Sequence, residues 1–167
     1  MNNDNLLIIG AGGQGHVCRE TAQAMQVYGK IAFLDDASPD AIGKIGECRA
    51  FGADYRYAFV AIGNNKLRAE LSDMLRDAGF EIPVLIHPRA FVSPSAQIGA
   101  GTIVAPMATV NTGSEVGEGC IISAGALIDH NAVIGRYTQI DAGAVCKSGS
   151  HVESFTKIQA GQIVSGY

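Results

Sequence analysis

The sequence contains no apolar run long enough to cross a membrane or to form the core of a signal peptide. No basic residue occurs among its first five residues, and the apolar stretch that follows covers only 6–9. A membrane-spanning helix needs about 20 apolar residues, and a signal peptide starts with a positively charged segment. We therefore expect a cytoplasmic protein with no membrane partner.

Charged residues are also scarce. They make up 17% of the 167 residues and leave a formal net charge of −4, whereas an average globular chain is about 25% charged. A mildly acidic chain lacks the basic surface on which nucleic-acid binding depends, so no nucleic-acid partner is expected. The apolar fraction of 47% is enough for a packed core and excludes a disordered chain.

Cysteine is present only four times. Cys18, Cys48, Cys120 and Cys146 form no Cys-x-x-Cys pair. In a chain without a signal peptide this spacing is typical of reduced cysteines that serve as packing residues. We expect neither disulfides nor a metal site.

Glycine, by contrast, is abundant, and a repeat of six residues fills the second half of the chain. From residue 86 onward an aliphatic residue or a cysteine recurs every six positions: Ile86, Val92, Ile98, Val104, Val110, Val116, Ile122, Ile128, Ile134, Ile140, Cys146, Val152, Ile158 and Val164. A small residue follows each of them after four positions, until Gln162 breaks the series. Helices repeat every 3 to 4 residues and hairpins every two, so this period excludes both. It predicts short strands that meet at corners, with the branched residue pointing inward.

Glycines mark the expected corners, where a tight turn needs a positive φ angle. The corner glycines are Gly101, Gly113, Gly119, Gly125, Gly143, Gly149 and Gly161. Three hexads would close one coil of eighteen residues, so 86–167 would form about four and a half coils. Cys120 and Cys146 would point into the interior of the coil.

Residues 1–85 follow a different pattern. An apolar strand at 6–9 leads into the glycine-rich segment 10–16 and then into a helical stretch through Tyr28. A second strand at 31–34 ends in Asp35 and Asp36, and a third at 57–62 precedes a helix at 66–78. This strand and helix order predicts a small parallel α/β domain of the Rossmann type, which binds ligands at the carboxyl ends of its strands.

The glycine-rich segment predicts a phosphate site. Gly10, Gly12 and Gly15 have the spacing of a dinucleotide-binding loop, whose backbone amides approach a phosphate at a helix N-terminus. Asp35 or Asp36 would lie near a ribose hydroxyl or a base. The domain is too short for two mononucleotide halves, so a mononucleotide is favoured. A tight turn into a helix also accounts for the glycines without any ligand.

The hexad pattern resembles that of the hexapeptide-repeat acyltransferases. Together with the glycine-rich segment, the Asp35-Asp36 strand end, the segment 61–65 and the triplet 129–131, it resembles more narrowly the sugar acetyltransferases of the PglD/NeuD type, over the whole chain. The resemblance implies a left-handed parallel β-helix after residue 85, a homotrimer with active sites between subunits, and acetyl-CoA as the acyl donor. It implies acetyl transfer to the amino group of a nucleotide-linked amino sugar.

The same resemblance implies the site residues. His130 takes the place of the general base and Asn131 stands beside it. The nucleotide sugar would contact Gly10, Gly12, Gly13, Gln14, Gly15, His16, Asp35, Asp36, Gly63, Asn64 and Ser123, and the coenzyme would contact Ser148, Gly149, Ala160 and Gly161.

Several positions depart from the family pattern. Asn131 replaces the usual Glu or Asp after the base; its carbonyl could still accept a hydrogen bond from a ring N–H, but it adds no negative charge. Ser123 and Ala124 replace an Asn-Thr pair, Gln139 replaces a second histidine, and Ser148 replaces a glycine whose amide meets the thioester. Relatives continue for another coil or two beyond residue 167, so we expect that part of the coenzyme site is missing.

The histidines leave alternatives open. His16 would contact a phosphate or cap the helix, while His87 and His151 would be surface or corner residues. No two of His87, His130 and His151 share a coil position, which argues against a zinc site like that of β-helical carbonic anhydrases. For the whole chain the alternatives are O-acetylation of a sialic-acid-type sugar and a non-catalytic sugar-binding relative.

Overall fold

Eighteen short strands and two α-helices make up the computed structural model, which describes residues 4–167. Its contacts separate two units, one that ends at Pro83 and one that covers Val84–Tyr167. The change of sequence pattern after residue 85 falls next to this boundary.

The first unit is a parallel sheet with flanking helices. Its elements are β1 (Leu6–Ile9), α1 (Gly13–Met25), β2 (Ile31–Leu34), β3 (Ala41–Gly43), a 3₁₀ helix (Ile45–Phe51), β4 (Tyr57–Val60) and α2 (Asn65–Asp77). The strands follow the order β3-β2-β1-β4, and every pair is parallel. Strand β1 is paired on both sides and wholly buried, which is the reason for its uninterrupted apolar sequence. The predicted parallel α/β arrangement is confirmed.

Several boundaries and two elements of this unit differ from the prediction. Helix α1 begins at Gly13, inside the glycine-rich segment, and α2 covers Asn65–Asp77 instead of 66–78. Helix α1 stops before Tyr28, because Gln26 adopts a left-handed φ of 55° and ends it. Strand β4 ends at Val60, two residues early. The sequence did not predict β3 or the 3₁₀ helix, because the segment 41–51 shows neither alternation nor a helical stripe.

The second unit consists of fourteen two-residue strands within Val84–Tyr167. They are β5 (Leu85–Ile86), β6 (Phe91–Val92), β7 (Gln97–Ile98), β8 (Ile103–Val104), β9 (Thr109–Val110), β10 (Glu115–Val116), β11 (Ile121–Ile122), β12 (Leu127–Ile128), β13 (Val133–Ile134), β14 (Gln139–Ile140), β15 (Val145–Cys146), β16 (His151–Val152), β17 (Lys157–Ile158) and β18 (Ile163–Val164). They form sheet B (β17-β14-β11-β8-β5), sheet C (β18-β15-β12-β9-β6) and sheet D (β16-β13-β10-β7).

Each strand pairs in parallel with the strand one coil further along, as Leu127 does with Val145. The offset is eighteen residues, which is three hexads, so successive hexads supply the three sides of the coil. The second residue of each strand points inward: Ile122, Ile128 and Ile140 are completely buried. Burial of one such side chain stabilises the fold by about 1.5–3 kcal/mol. The predicted inward series, including Cys120 and Cys146, is confirmed.

The corners between strands contain the positive φ angles. All seven glycines predicted for corners have φ between 65° and 73°. Four other residues adopt the same conformation at equivalent places: Met107, Asn131, Tyr137 and Phe155. Asparagine tolerates this region better than most residues.

The four cysteines are buried, and none of them forms a disulfide within residues 4–167. Within residues 4–167 no helix has the length and apolar character that a membrane span requires.

Candidate functional site

The glycine-rich segment joins β1 to α1 by a close backbone contact. A Cβ atom on Gly15 would overlap the carbonyl oxygen of Gly10, so the helix approaches the strand end as closely as glycine allows. Gly10 itself has a φ of 98°. Around Gly12 and Gly13, in contrast, a Cβ would meet no atom within 4 Å. Gly10 and Gly15 therefore allow the close packing of the strand end and the helix. Gly12 and Gly13 leave the surface at the start of the helix open.

That open face is the N-terminus of α1. Gly12 is the N-cap residue and has no side chain to cap the helix, and the first turn contains no acidic residue. The first backbone N–H groups of a helix lack partners inside the helix, and the helix dipole favours an anion near them. This end of α1 has the features of a phosphate site.

Asp35, at the end of β2, uses both carboxylate oxygens within the chain. Its Oδ2 accepts from the N–H of Ala11 at 2.8 Å, and its Oδ1 accepts from Ala37 and Ser38 at 2.9 Å. These bonds stabilise the ionised form, the one from Ala11 most, and hold the pKa of Asp35 below its ordinary value. Asp35 therefore anchors the glycine-rich segment to the end of β2.

The neighbouring predicted residues also have roles in the fold. Asp36 Oδ1 accepts from Ile45 N at 3.1 Å. Asn64 caps α2, because its Oδ1 accepts from Leu67 N at 3.0 Å. Gly63 lies at the same strand end, with open space where a Cβ would point.

His16 lies in the first turn of α1. Its ring meets Phe33 edge to face, with centroids 5.3 Å apart, and its Nδ1 lies 3.1 Å from an Arg19 nitrogen. The alternative that His16 caps the helix is wrong, since the N-cap is Gly12. Gln14 directs its amide toward Cys18 Sγ at 3.7 Å.

Arg68 was not predicted, although it supports this strand end. Its side chain is buried, and its Nη1 donates to the carbonyl oxygens of Ile62 at 2.8 Å and Gly63 at 3.3 Å. A further bond runs from Nη2 to Asn65 Oδ1 at 2.7 Å. A buried guanidinium needs such acceptors. Only its place after Gly63 and Asn64 could have drawn attention to it in the sequence.

In the second unit, His130 lies at a corner that follows β12. We call residues 111–113, 129–131, 147–149 and 165–167, which occupy the same place in successive coils, the His130 corner. The ring of His130 is exposed, and its Nδ1 lies 3.3 Å from Asn131 Nδ2. Asn131 Nδ2 also lies 3.4 Å from the hydroxyl of Tyr167. An exposed imidazole with one ring nitrogen partnered keeps its other nitrogen free for a proton.

Asp129 is the best-connected side chain of the His130 corner. Its Oδ1 accepts from His130 N at 2.8 Å and from Asn111 Nδ2 at 3.1 Å, and its Oδ2 accepts from Ser148 Oγ at 3.0 Å. The hydrogen bond from His130 N, followed by the side-chain bonds, lowers the pKa of Asp129. Its position directly before His130 is the only signal that the sequence offers.

The predicted coenzyme residues fall at two corners. Ser148 and Gly149 belong to the His130 corner, where Gly149 N donates to His130 O at 3.0 Å. Ala160 and Gly161 lie at the corner on the opposite edge of sheet C, and so does Ser123. Gly161 is open, but a Cβ on Gly149 would overlap the ring of Tyr167. The Cβ side of Gly149 is thus covered by this chain itself.

The remaining histidines have local partners. His87 Nδ1 accepts from Arg89 N at 3.0 Å, and His151 Nε2 lies 3.5 Å from Glu153 Oε1. Within residues 4–167 no three His, Cys, Asp or Glu side chains come together in a group that could hold a metal ion. A groove of about 480 Å³ on sheet D, lined among others by Gln97, Glu115 and Val133, contains none of the predicted site residues.

Comparison with known proteins connects both sites to one family. Residues 5–75 match the PglD N-terminal domain. UDP-N-acetylbacillosamine N-acetyltransferase of Bacillus subtilis is 34% identical in an alignment 110 residues long, and the alignment covers 60% of this chain and 50% of that protein. The alignment thus spans half the length of this curated relative.

Two solved structures match over nearly the whole chain. The acetyltransferase domain of PglB from Neisseria gonorrhoeae, in complex with acetyl coenzyme A, is 33% identical with a TM-score of 0.86, and the match covers 96% of this chain and 90% of that one. PerB from Caulobacter crescentus, in complex with CoA and GDP-perosamine, is 29% identical with a TM-score of 0.83, over 97% and 89% of the two chains. These matches cover both the glycine-rich segment of the first unit and the His130 corner of the second. They show that this protein belongs to the PglD-type family of sugar acetyltransferases.

Proposed function

We propose that this protein transfers the acetyl group of acetyl-CoA to the amino group of a nucleotide-linked amino sugar, as a step of surface glycan synthesis. The observation that carries the proposal is the exposed His130 at a corner shared with Ser148, in a chain 33% identical to an acetyltransferase domain solved with acetyl coenzyme A. We propose the cytoplasm as the compartment, since acetyl-CoA and nucleotide sugars are made there.

The nucleotide part of the substrate would bind in the first unit. The open N-terminus of α1 at Gly12 and Gly13 would take the phosphates, with Gln14 and His16 in the same turn. Asp35 would act mainly by holding the loop through Ala11, while Asp36, Gly63 and Asn64 would border the site at the strand ends. The complex of PerB with GDP-perosamine supports a substrate of this class.

His130 would be the general base. The neutral amine of the sugar would attack the thioester carbonyl, and the free ring nitrogen of His130 would take a proton from that nitrogen as the new bond forms. The C–N bond forms, the C–S bond breaks, and the proton passes to the departing thiolate. The backbone N–H of Ser148 would stabilise the oxyanion, because those of Lys147 and Gly149 already donate to carbonyl oxygens. A positioned base contributes about 10²–10⁴-fold to such a step.

For this role the amide of Asn131 has to accept a hydrogen bond from His130. The base is Nε2 when Nδ1 holds the proton, so Nδ1 must donate. A 180° rotation of the Asn131 amide exchanges its oxygen and nitrogen in place. The oxygen would then accept from His130 Nδ1 and from the hydroxyl of Tyr167, which now lie 3.3 and 3.4 Å from the amide nitrogen.

The β-helix is proposed to be left-handed and the enzyme a homotrimer, both from the family resemblance. The outward side chains of sheet C support the trimer. They are Phe91, Thr109, Leu127, Val145 and Ile163, of which the first and last are 55% and 60% exposed. This strip is apolar apart from Thr109, and it lies between the corner of Ser123 and Gly161 and the His130 corner. A second copy packed on it would cover the strip and place the coenzyme, which would meet Ser148, Gly149, Ala160 and Gly161, between subunits.

Release of free CoA tests the function. Purified protein is incubated with acetyl-CoA and a panel of UDP- and GDP-linked amino sugars, and the thiol is measured together with the mass of the sugar product. Acetylation of an amine in at least one substrate supports the proposal. Acetylation only of hydroxyl groups, or nucleotide-sugar binding without CoA release from any substrate, would contradict it.

A further inference from the structure

We propose that Asp129 is a positioning residue for His130 and that its carboxylate supplies the negative charge that relatives carry at the position of Asn131. This inference rests on the proposed function, because it concerns the base of that reaction. In relatives the acidic partner of the imidazole is the residue after the histidine, whereas in this chain it would be the residue before it.

The hydrogen bonds of Asp129 fix the backbone from which the His130 ring projects. Oδ1 holds the N–H of His130 at 2.8 Å, and the backbone carbonyl of Asp129 accepts from Ser114 Oγ at 2.6 Å. The carbonyl of His130 accepts from Gly149 N at 3.0 Å. The peptide units on both sides of the His130 Cα are therefore bound to neighbouring coils.

The same carboxylate links three successive coils. Asn111 lies one coil before Asp129 and donates from Nδ2 at 3.1 Å, and Ser148 lies in the next coil and donates from Oγ at 3.0 Å. The resemblance assigns the base to His130 and the thioester contact to Ser148. Because the Asp129 carboxylate binds both residues, it fixes the position of the base relative to the thioester contact. Preorganised geometry of this kind is what proton transfer at a reacting amine requires.

The carboxylate is held in its charged form. All three donors favour the ionised state, in agreement with the lowered pKa of this group. Among residues 4–167, the other titratable groups at the His130 corner are Lys147, which takes the place of Asp129 one coil further along, and Tyr167, whose hydroxyl reaches Asn131. A negative charge next to His130 stabilises the imidazolium that forms as the base takes its proton.

Asp129→Asn separates charge from geometry. The amide oxygen of the variant still accepts from His130 N and from Asn111 Nδ2, and its NH₂ group donates to Ser148 Oγ. The hydrogen bonds between the three coils are therefore kept while the negative charge is removed. Glu153→Gln is the matched control, because Glu153 follows β16 at the same place in its hexad, at a corner that holds none of the predicted site residues. Its carboxylate also has a local partner, His151 Nε2 at 3.5 Å.

Two measurements report on the coupling. NMR titration of the His130 ring, assigned by comparison with His130→Gln, needs no substrate. The pH dependence of kcat, with KM for both substrates, needs the best amino sugar found. For Asp129→Asn we expect the titration midpoint and the acidic limb of the rate profile to move down by about half a pH unit. We also expect a plateau kcat about three- to tenfold lower with unchanged KM. Glu153→Gln should match the wild type.

Relocating the charge completes the test. Asn131→Asp, added to Asp129→Asn, returns a carboxylate to the other side of the ring at a φ of 56° that aspartate tolerates. The midpoint and kcat should return toward wild-type values. If the midpoints of Asp129→Asn and wild type coincide, or if activity falls only in proportion to lost thermal stability, the proposal is wrong. Absence of turnover in the wild type would instead contradict the proposed function, because the NMR comparison is independent of turnover.

Discussion

The carboxylate of Asp35 accepts a hydrogen bond from the backbone N–H of Ala11 across 2.8 Å, and so ties the end of β2 to the loop that opens α1. The sequence predicted a ligand contact at this aspartate, and the structure gives it three backbone donors. Its first effect is therefore on the loop, and through the loop on any phosphate bound there.

Asp35→Ala should lower the free energy of unfolding by about 1 kcal/mol at pH 7, a value discounted because the carboxylate is near solvent. The folded-state pKa is lowered, so this contribution is present above the unfolded pKa and is lost as the pH falls through the folded one. Urea unfolding at pH 7, 5 and 3.5 should show the difference from wild type shrinking below about pH 4. A difference that grows on acidification would contradict this, and Asp40→Ala, in the same exposed segment, is the control.

The glycines of the loop should divide into two groups. Gly15→Ala should cost about 1–3 kcal/mol, because its Cβ meets the backbone of Gly10. Gly12→Val should cost no more than about 1 kcal/mol, because the space around it is open, yet it should abolish nucleotide-sugar binding measured by calorimetry. Unchanged affinity of Gly12→Val for every nucleotide sugar that the wild type binds would rule out the site.

The interior of the coil should not accept a charge. Ile140→Asp buries an unpaired carboxylate and should cost several kcal/mol, about enough to unfold the β-helix. Ile42→Asp makes the same exchange at a side chain of β3 that is 50% exposed and lies outside the strip on sheet C, so it should leave the melting temperature nearly unchanged. Coincident thermal melts of Ile140→Asp and wild type would show that the inward assignment is wrong.

Replacement of His130 should remove the base without disturbing the coil. His130→Ala should lower kcat by about 10²–10⁴-fold with little change in acetyl-CoA binding. His151→Ala changes an exposed histidine that lies in a strand, β16, and not at the His130 corner, so it should keep wild-type turnover. If His130→Ala retains full turnover on the best amino sugar, the ring is only a surface corner residue.

Sedimentation should find a particle of three 17.4 kDa chains. Phe91→Asp places a charge on the exposed apolar strip of sheet C and should dissociate the trimer with a parallel loss of activity. A wild type that stays monomeric at micromolar concentration would contradict a site shared between subunits. The variant Glu115→Lys on sheet D, which alters charge away from the strip, should remain trimeric.

The sequence by itself determined the features that depend on local pattern. A period of six fixed which side chains point inward, and Ile128 and Ile140 are buried as expected. Glycines at positions that need a positive φ, such as Gly143, predicted the corners. The order of strand, glycine loop and helix in the first third predicted the parallel sheet, because each of these signals spans only a few neighbouring residues.

Only the tertiary structure decided what the polar side chains contact. Asp35 reaches back to Ala11, Asp129 joins Asn111 and Ser148 in adjacent coils, and Tyr167 covers Gly149. These partners are eighteen or more residues apart, and the parallel register of the coil or the sheet brings them together. A hydrogen bond between side chains leaves no periodic signal in the sequence, so the residue that best organises the His130 corner became visible only in the folded chain.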